Sequence, residues 1–332
     1  MATTRLTDVV EPQEFTAYIL QNTMQKTALF KSGVAVPNGE IARQLKAGAH
    51  SFNVPYWHDL GDQEANIAND DPAINSTPNK LGSGKQIIRK SFLHQSWSAM
   101  NLASEIAGDN ALQRIQTRVT SYWERQAQRR LIASLNGVLA ANVLNDGGDM
   151  VHDISTVADQ AGNLFSAEAV IDASGTLGDA MNDLTGIAMH SDIYRRALKN
   201  DQVEFIPDSQ GGRIATFRGL AVIVDDGLPL NTVDGIYTTV LFGRGAVGYA
   251  LAEPQIADGT EVENLPSAGR GAGQQILHSR LNLAMHPAGF SWAEGDIADE
   301  SPTIAELADA SHWLRTVERK AVPLAFLKTK NV

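Results

Sequence analysis

The chain has 332 residues, of which 43% are hydrophobic and 20% charged, and its formal net charge is −11. That length allows one large domain or two ordinary ones around a substantial core, and the composition is ordinary for a soluble globular protein. No apolar run approaches ~18 residues, which argues against a membrane span. The opening "MATTRLTDVVEPQEF" lacks the basic-then-apolar order of a secretory signal. The absence of cysteine excludes disulfides and thiolate metal sites and suits a reducing cytoplasm. An acidic balance also argues against gripping DNA or RNA over the whole surface, because neutralising phosphates needs Lys and Arg.

Residues 1–45 read as an extended arm with short helical pieces, including an interrupted stripe of Phe15, Ile19 and Met24. From 46 to 95 the character changes. A short strand with Phe52, Val54 and Tyr56 leads into a tip rich in Asn, Asp, Gly and Pro, and "QIIRKSFLHQSW" returns as a second strand. A loop this long buries little of itself, and a compact domain rarely carries one without a use for it.

The strongest local signal is a helix over 111–141, with Asp109 as its expected N-cap. Leu112, Ile115, Val119, Trp123, Ala127, Leu131, Leu135 and Leu139 recur at spacings of three and four. To Gly137 alone the helix would be roughly 38 Å long at 1.5 Å per residue, a spine for a flat subunit. Arg114, Arg118, Arg125 and Arg129 share a face away from much of that stripe. The segment 293–309 is acidic throughout, so the chain carries a basic helix and an acidic stretch, a pattern suited to like subunits meeting each other.

The remainder reads as mixed helix and strand. A helix is expected over 167–181, capped by Ser166 and open to interruption at Gly175 and Gly178. "LTGIAMHS" reads as a buried strand, after which Ser191 caps the helix "DIYRRALKN". Strands follow at "GLAVIVDD" and "IYTTVLF". A long strand runs from Ile276 to Met285, with Leu277, Leu281, Leu283 and Met285 on one side and His278, Arg280 and Asn282 on the other. Thr303 and Glu306 form a capping box for the helix "IAELADA", and "AVPLAFLKT" closes the chain as a strand.

The catalytic motifs fail one by one. Gly243, Gly245 and Gly248 spell G-x-G-x-x-G after an apolar strand, and Glu261 or Glu263 lies near the spacing of a ribose carboxylate. Val247, Tyr249 and Leu251 alternate, however, and Pro254 ends the segment, which predicts strand, turn, strand rather than the helix a pyrophosphate needs. "LGSGKQ" lacks the first glycine and the Ser/Thr of a phosphate loop. His190 and Asp192 stand at a strand end, where an N-terminal cap explains Ser191 and Asp192 without chemistry. The eight histidines show no metal-ligand spacing, and no G-x-S-x-G is present. No enzyme, cofactor or metal is therefore expected. A basic helix without interleaved exposed aromatics is likewise a poor nucleic-acid platform.

The order of segments resembles the major capsid protein of tailed double-stranded-DNA bacteriophages over nearly the whole chain. The likeness is strongest at "VPYWHDLGD", "SYWERQAQRRLIASLNGV" and "IAMHSDIYRRAL". It continues at "VLFGRGAVGYA", "TEVENLPSAGRGAGQQILHSRLNLAMHPAGFSW" and "SPTIAELADASHWLRTVERKAVPLA". The resemblance implies an α+β fold with an N-terminal arm (1–45), an extended β-hairpin loop (46–95), a peripheral domain with the spine helix (96–162 and 271–332) and an axial domain (163–270). It implies self-assembly into hexamers and pentamers of an icosahedral head around double-stranded DNA, without sequence-specific binding. Portal, scaffolding and decoration proteins are the implied partners, and the virion, assembled in the host cytoplasm, is the implied location.

Some relatives begin with a cleavable heptad-rich scaffolding segment. This chain opens on the arm, so a separate scaffolding protein is expected. Some also cross-link a loop lysine to a neighbour. Lys80 and Lys85 lie in the loop, but no motif identifies a partner, and no covalent bond is expected. The expected inter-subunit residues are Tyr56, Trp57, Lys80, Lys85, Ile87, Ile88 and Phe92 in the loop and Arg114, Arg118, Arg125 and Arg129 on the spine. The alternatives are an encapsulin-like nanocompartment shell and, from another class, a nucleotide-dependent enzyme built on Gly243–Gly248.

Overall fold

Among the described residues the strands form a six-stranded, an eight-stranded and a two-stranded sheet, and one long helix runs beside the two larger ones. The structure is a computed structural model. It describes Leu29 and residues 34–61, 64–68, 70, 71, 73, 75–159, 162–207, 213–295 and 297–331. The stripe of Phe15, Ile19 and Met24 lies outside these residues.

In chain order the elements are β1 (Ala35–Pro37), α1 (Gly39–Leu45), β2 (Ser51–Trp57), β3 (Ser83–Met100), α2 (Asn101–Ala107), α3 (Ala111–Asn145), β4 (Val151–Asp153), α4 (Ala167–Gly175), β5 (Leu184–Met189) and α5 (Ser191–Lys199). There follow β6 (Glu204–Pro207), β7 (Arg213–Phe217), β8 (Leu220–Val224), β9 (Leu230–Asn231), β10 (Ile236–Gly243), β11 (Val247–Ala252), β12 (Thr260–Leu265), β13 (Gln274–Pro287), β14 (Phe290–Trp292), a short helix Ile304–Leu307, β15 (Trp313–Arg315) and β16 (Leu324–Lys330).

The six-stranded sheet has the order β1-β11-β13-β3-β2, with β12 also on β13. The eight-stranded sheet runs β4-β16-β10-β5-β8-β7-β6, with β9 on β10. Sheet membership crosses the expected domain limits. β11 and β12, within 163–270, pair with β13 in the six-stranded sheet, whereas β4 and β16 join the eight-stranded one. Pairing partners far apart in sequence decide this.

The spine is α3, 35 residues and about 52 Å long. Its N-cap is Asn110, whose side chain accepts from the Gln113 N–H, rather than Asp109. The Asp109 N–H instead closes the end of α2 on the Ser104 carbonyl. The expected stripe is real at Leu112, Ala127, Leu131, Leu135 and Leu139, all buried. Beyond Ala127 the helix is buried on nearly every side, with Ala133, Ser134, Val138 and Ala141 also inside. The N-terminal half is half-buried or exposed, with Leu112 its one buried residue. One half of the spine is core and the other is surface.

Other boundaries shift for local reasons. The helix expected over 167–181 stops at Gly175 and gives way to a tighter turn, Gly178–Asp183. The cap of α5 is His190 rather than Ser191: its Nδ1 accepts from the Asp192 N–H at 3.2 Å. The capping box at Thr303 and Glu306 is present, on a helix of only four residues. Along β13 the two-sided alternation blurs, because Ile276, Ala284 and His286 are buried as well as Leu277, Leu283 and Met285. The strand is central in its sheet; Leu283 and Met285 share the main core with α3, while Ala284 packs with Ile41 and Leu45 of α1.

Candidate assembly surfaces

The extended loop is one strand doing two jobs. The inner part of β3 pairs with β13 from Lys90↔Ala284 to Met100↔Gln274. Its outer part pairs only with β2, from Arg89↔Ser51 to Ser83↔Trp57. A two-stranded ribbon is marginal by itself, so its root must be fastened. The Ile87 N–H donates to Ser291 Oγ at 2.9 Å and the Phe92 N–H to Ser301 Oγ at 2.8 Å. Arg89 pairs with Glu294 and donates to the Glu300 carbonyl. The Tyr56 hydroxyl donates to the Thr316 carbonyl at 2.7 Å. Beyond Trp57 these fastenings end, and the polar tip begins.

The loop residues expected to meet a neighbour divide accordingly. Trp57 is 71% exposed, Phe92 is 43% exposed, and Lys80 and Lys85 are exposed. Tyr56 is half-buried and engaged within its own chain. Ile87 packs against the main core, and Ile88 is buried with Ile41, Leu45, Ala250 and Ala284. Ile88 therefore faces its own subunit. Leu60 and Ile67, 73% and 87% exposed, are apolar surface that sequence reading passed over. Their signal was isolation: with Ile74 they are the large aliphatic residues of 58–80, a stretch otherwise built for turns.

On the spine, Arg114 pairs with Asp109 through Nε at 2.9 Å, Arg118 and Arg125 are half-buried, and Arg129 is exposed. Arg130, not among the expected residues, turns inward. Its Nη1 donates to Ser91 Oγ and to the Pro302 carbonyl, joining spine, loop strand and acidic segment. A second group lies across β3, β12 and β13: His94 Nε2 is 3.1 Å from His278 Nδ1, and His278 Nε2 is 3.2 Å from Glu263. Burial, with the positive fields of His278 and Arg280, lowers the His94 pKa. A further patch of exposed apolar side chains, Phe205, Ile206 and Ile214, occupies β6 and β7 at the edge of the eight-stranded sheet.

The motifs weighed for catalysis are occupied by folding. Gly243 ends β10 and Val247 begins β11, and the turn between them, with Gly245 at φ 74°, carries the chain from the eight-stranded sheet to the six-stranded one. No helix follows, so no helix N-terminus faces a pyrophosphate. Asp192 accepts from the Tyr237 hydroxyl at 3.0 Å beside the His190 ring. Among the described residues, no group of three or more His, Asp or Glu could hold a metal ion. No helix among them is long and apolar enough to cross a membrane.

Comparison with known proteins gives the same direction. No family model matches the chain. The chain is 36% identical over 334 residues to the major capsid protein of Bacillus phage SPP1, covering 99% of this chain and 98% of that one. Its fold is similar to the Cyanophage Pam1 capsid (TM-score 0.62, 11% identity, 99% and 98% of the two chains). It is similar also to the capsid of Ralstonia phage GP4 (TM-score 0.60, 10% identity, 100% and 98%). The SrpI encapsulin of Synechococcus elongatus shares the fold at TM-score 0.52 and 10% identity, over 100% and 97% of the chains. A relative this similar along the whole length fixes the family: this chain belongs to the major capsid proteins of tailed bacteriophages, structural proteins that associate with copies of themselves to form a shell.

Proposed function

We propose that this chain forms the hexamers and pentamers of an icosahedral head that encloses double-stranded DNA. In this reading the lobe around the eight-stranded sheet is the axial domain, and the spine with the six-stranded sheet is the peripheral domain. The observation that carries it is the ribbon of β2 and β3. It is fastened to its own subunit as far as Tyr56, then presents Trp57, Leu60 and Ile67 to the outside. Exposed apolar side chains at the tip of a polar loop gain from burial only against another molecule, at about 25 cal/mol per Å². Many such contacts per subunit, each weak, add to a strong shell.

Trp57, Lys80, Lys85 and Phe92, with Arg114, Arg118, Arg125 and Arg129, are the proposed inter-subunit residues. A separate scaffolding protein, a portal and a decoration protein are the further partners, and assembly takes place in the host cytoplasm. The net acidic chain suits a container, since a lining that held DNA tightly would oppose packaging and release.

Electron microscopy of the protein co-expressed with its scaffolding protein tests the reading. Closed shells with five- and sixfold capsomers are expected, and discrete small particles would overturn it. Nuclease-protected DNA in mature particles supports the head, whereas an enzyme cargo in DNA-free shells would favour the encapsulin-like alternative. Denatured mature particles should run as a monomer band, and a ladder of multimers would show covalent cross-linking, which Lys80→Ala and Lys85→Ala would then assign.

A further inference from the structure

The joint between α1 and β2 is short and strained. Within it Ala49 has φ +89°, a region that residues carrying a Cβ rarely adopt. Such a conformation persists only where the surroundings over-determine it. The neighbour that does so is Lys90, on β3, whose side chain is fully buried. Its ammonium donates to the Ala47 carbonyl at 2.6 Å and reaches the Gly48 carbonyl at 3.4 Å, the two peptide oxygens immediately before Ala49. Its backbone N–H donates to the His50 carbonyl at 2.9 Å, immediately after. The Nζ atom also stands 5.8 Å from the centre of the Phe52 ring, the second residue of β2.

Lys90 forms no ion pair among the described residues. A buried ammonium without a carboxylate is costly and needs compensating acceptors. Here the acceptors are the joint's own carbonyls. The lysine brackets the strained residue from both sides.

We infer that Ala47–His50 is a strained hinge for the extended ribbon and that the Lys90 ammonium is the latch that holds it. With the latch closed, Ala49 is kept at positive φ and β2 enters its ladder with β3 in the observed register. With the ammonium removed, only the backbone bond from Lys90 to the His50 carbonyl is left beside Ala49, and the joint relaxes toward negative φ, freeing the first residues of β2. The latch belongs to the subunit itself. Its use in setting the angle of the ribbon between neighbours rests on the shell reading above.

Hydrogen exchange on the purified full-length protein tests the latch independently of any shell. Lys90→Met keeps most of the side-chain volume and removes the ammonium. Exchange in the peptides 47–54 and 86–92 should quicken at least tenfold, with β10 and β16 unchanged. Adding Ala49→Gly should bring exchange back to within about threefold of wild type, because glycine occupies positive φ without strain and no longer needs the latch. Unchanged exchange in Lys90→Met, or no rescue in the double variant, would overturn the inference. Should Lys90→Met fail to fold, Ala49→Gly alone decides: slower exchange over 47–54 supports a strained hinge, and equal or faster exchange refutes it.

Discussion

Tyr56 and Thr316 lie 260 positions apart in sequence, yet the tyrosine hydroxyl donates to the threonine carbonyl at 2.7 Å. This bond fastens the outer end of the β2–β3 ladder to the turn after β15. Removing it with Tyr56→Phe keeps the ring and its edge contact with His58. The expected cost is about 0.5–1.5 kcal/mol of local stability, the usual net worth of one hydrogen bond. Hydrogen exchange should quicken over 54–58 and 83–86 and stay unchanged in the spine. Equal rates in both proteins would mean that the bond does not hold the ribbon.

The three glycines of the G-x-G-x-x-G pattern should differ in a way set by backbone geometry. A Cβ on Gly243 would lie 2.7 Å from the Asp183 carbonyl oxygen and 2.8 Å from Pro323 Cβ, neither of which yields easily. On Gly245 it would meet nothing within 4 Å, but φ there is +74°. On Gly248 it would meet the Ile41 Cδ1 at 3.1 Å, the flexible end of a side chain. Overpacking against backbone costs about 1–3 kcal/mol, and left-handed backbone about 1–2 kcal/mol per residue. Alanine should therefore be worst at 243, intermediate at 245 and mildest at 248, measured by urea denaturation. In a nucleotide site Gly245 would approach the pyrophosphate and Gly248 would let a helix pack closely on the strand, so alanine at 248 would not be mild.

Asn142, buried in the last turns of the spine, ends the helix by holding the chain that follows. Its Oδ1 accepts from the Met150 N–H at 3.1 Å, and its Nδ2 donates to Asp149 at 2.6 Å. Asp149 also receives Arg315; burial pushes its carboxyl up, but the bonds from Asn142 and then Arg315 hold it below the usual range. Asn142→Ala improves helix propensity by up to about 0.7 kcal/mol. It leaves a buried N–H without its acceptor, at about 1–3 kcal/mol, and removes a bond to a charged group worth about 1.5–3 kcal/mol. The losses win, and a net destabilisation of ~2–4 kcal/mol is expected in urea, against almost none for the exposed Asn145→Ala. Similar midpoints for the two variants would contradict this account.

What the sequence made legible was local. Spacings of three and four announced the spine, because half of it has a solvent side against which a stripe can stand out. Its true end was hidden: Gly137 reads as a break, whereas the helix uses its bare surface to admit the Leu307 carbonyl and the Trp313 indole. The expected cap, Asp109, gives way to Asn110 because the preceding helix takes the Asp109 N–H. Ile87 and Ile88 look alike in sequence but, as neighbours along a strand, face opposite sides, and what packs on each side is set by distant parts of the chain. The same holds for the domain limits, since β11 and β16 go to sheets chosen by partners far along the chain. Lys90 could not be recognised at all. A lysine in a strand of a polar loop reads as solvated until the joint it holds is seen.

The last prediction concerns acid. His286, at the inner end of β13, is buried, and burial lowers its pKa to about 4 from an ordinary 6.5. The folded protein thus holds the imidazole neutral over a range in which the unfolded chain protonates it. Between pH 6.5 and 4 the unfolded state binds more protons, so stability rises with pH through that window and levels off above about 7. A shift of this size corresponds to roughly 3 kcal/mol at the full span, from about 1.4 kcal/mol per pH unit. Urea denaturation of the wild type should show that loss as pH falls from 7 to 4. His286→Leu, which cannot protonate, should show a flatter profile over the same window and a lower plateau at pH 7, where the bond to the Phe290 backbone is missing. Parallel pH profiles for the two proteins would assign the acid lability to other groups.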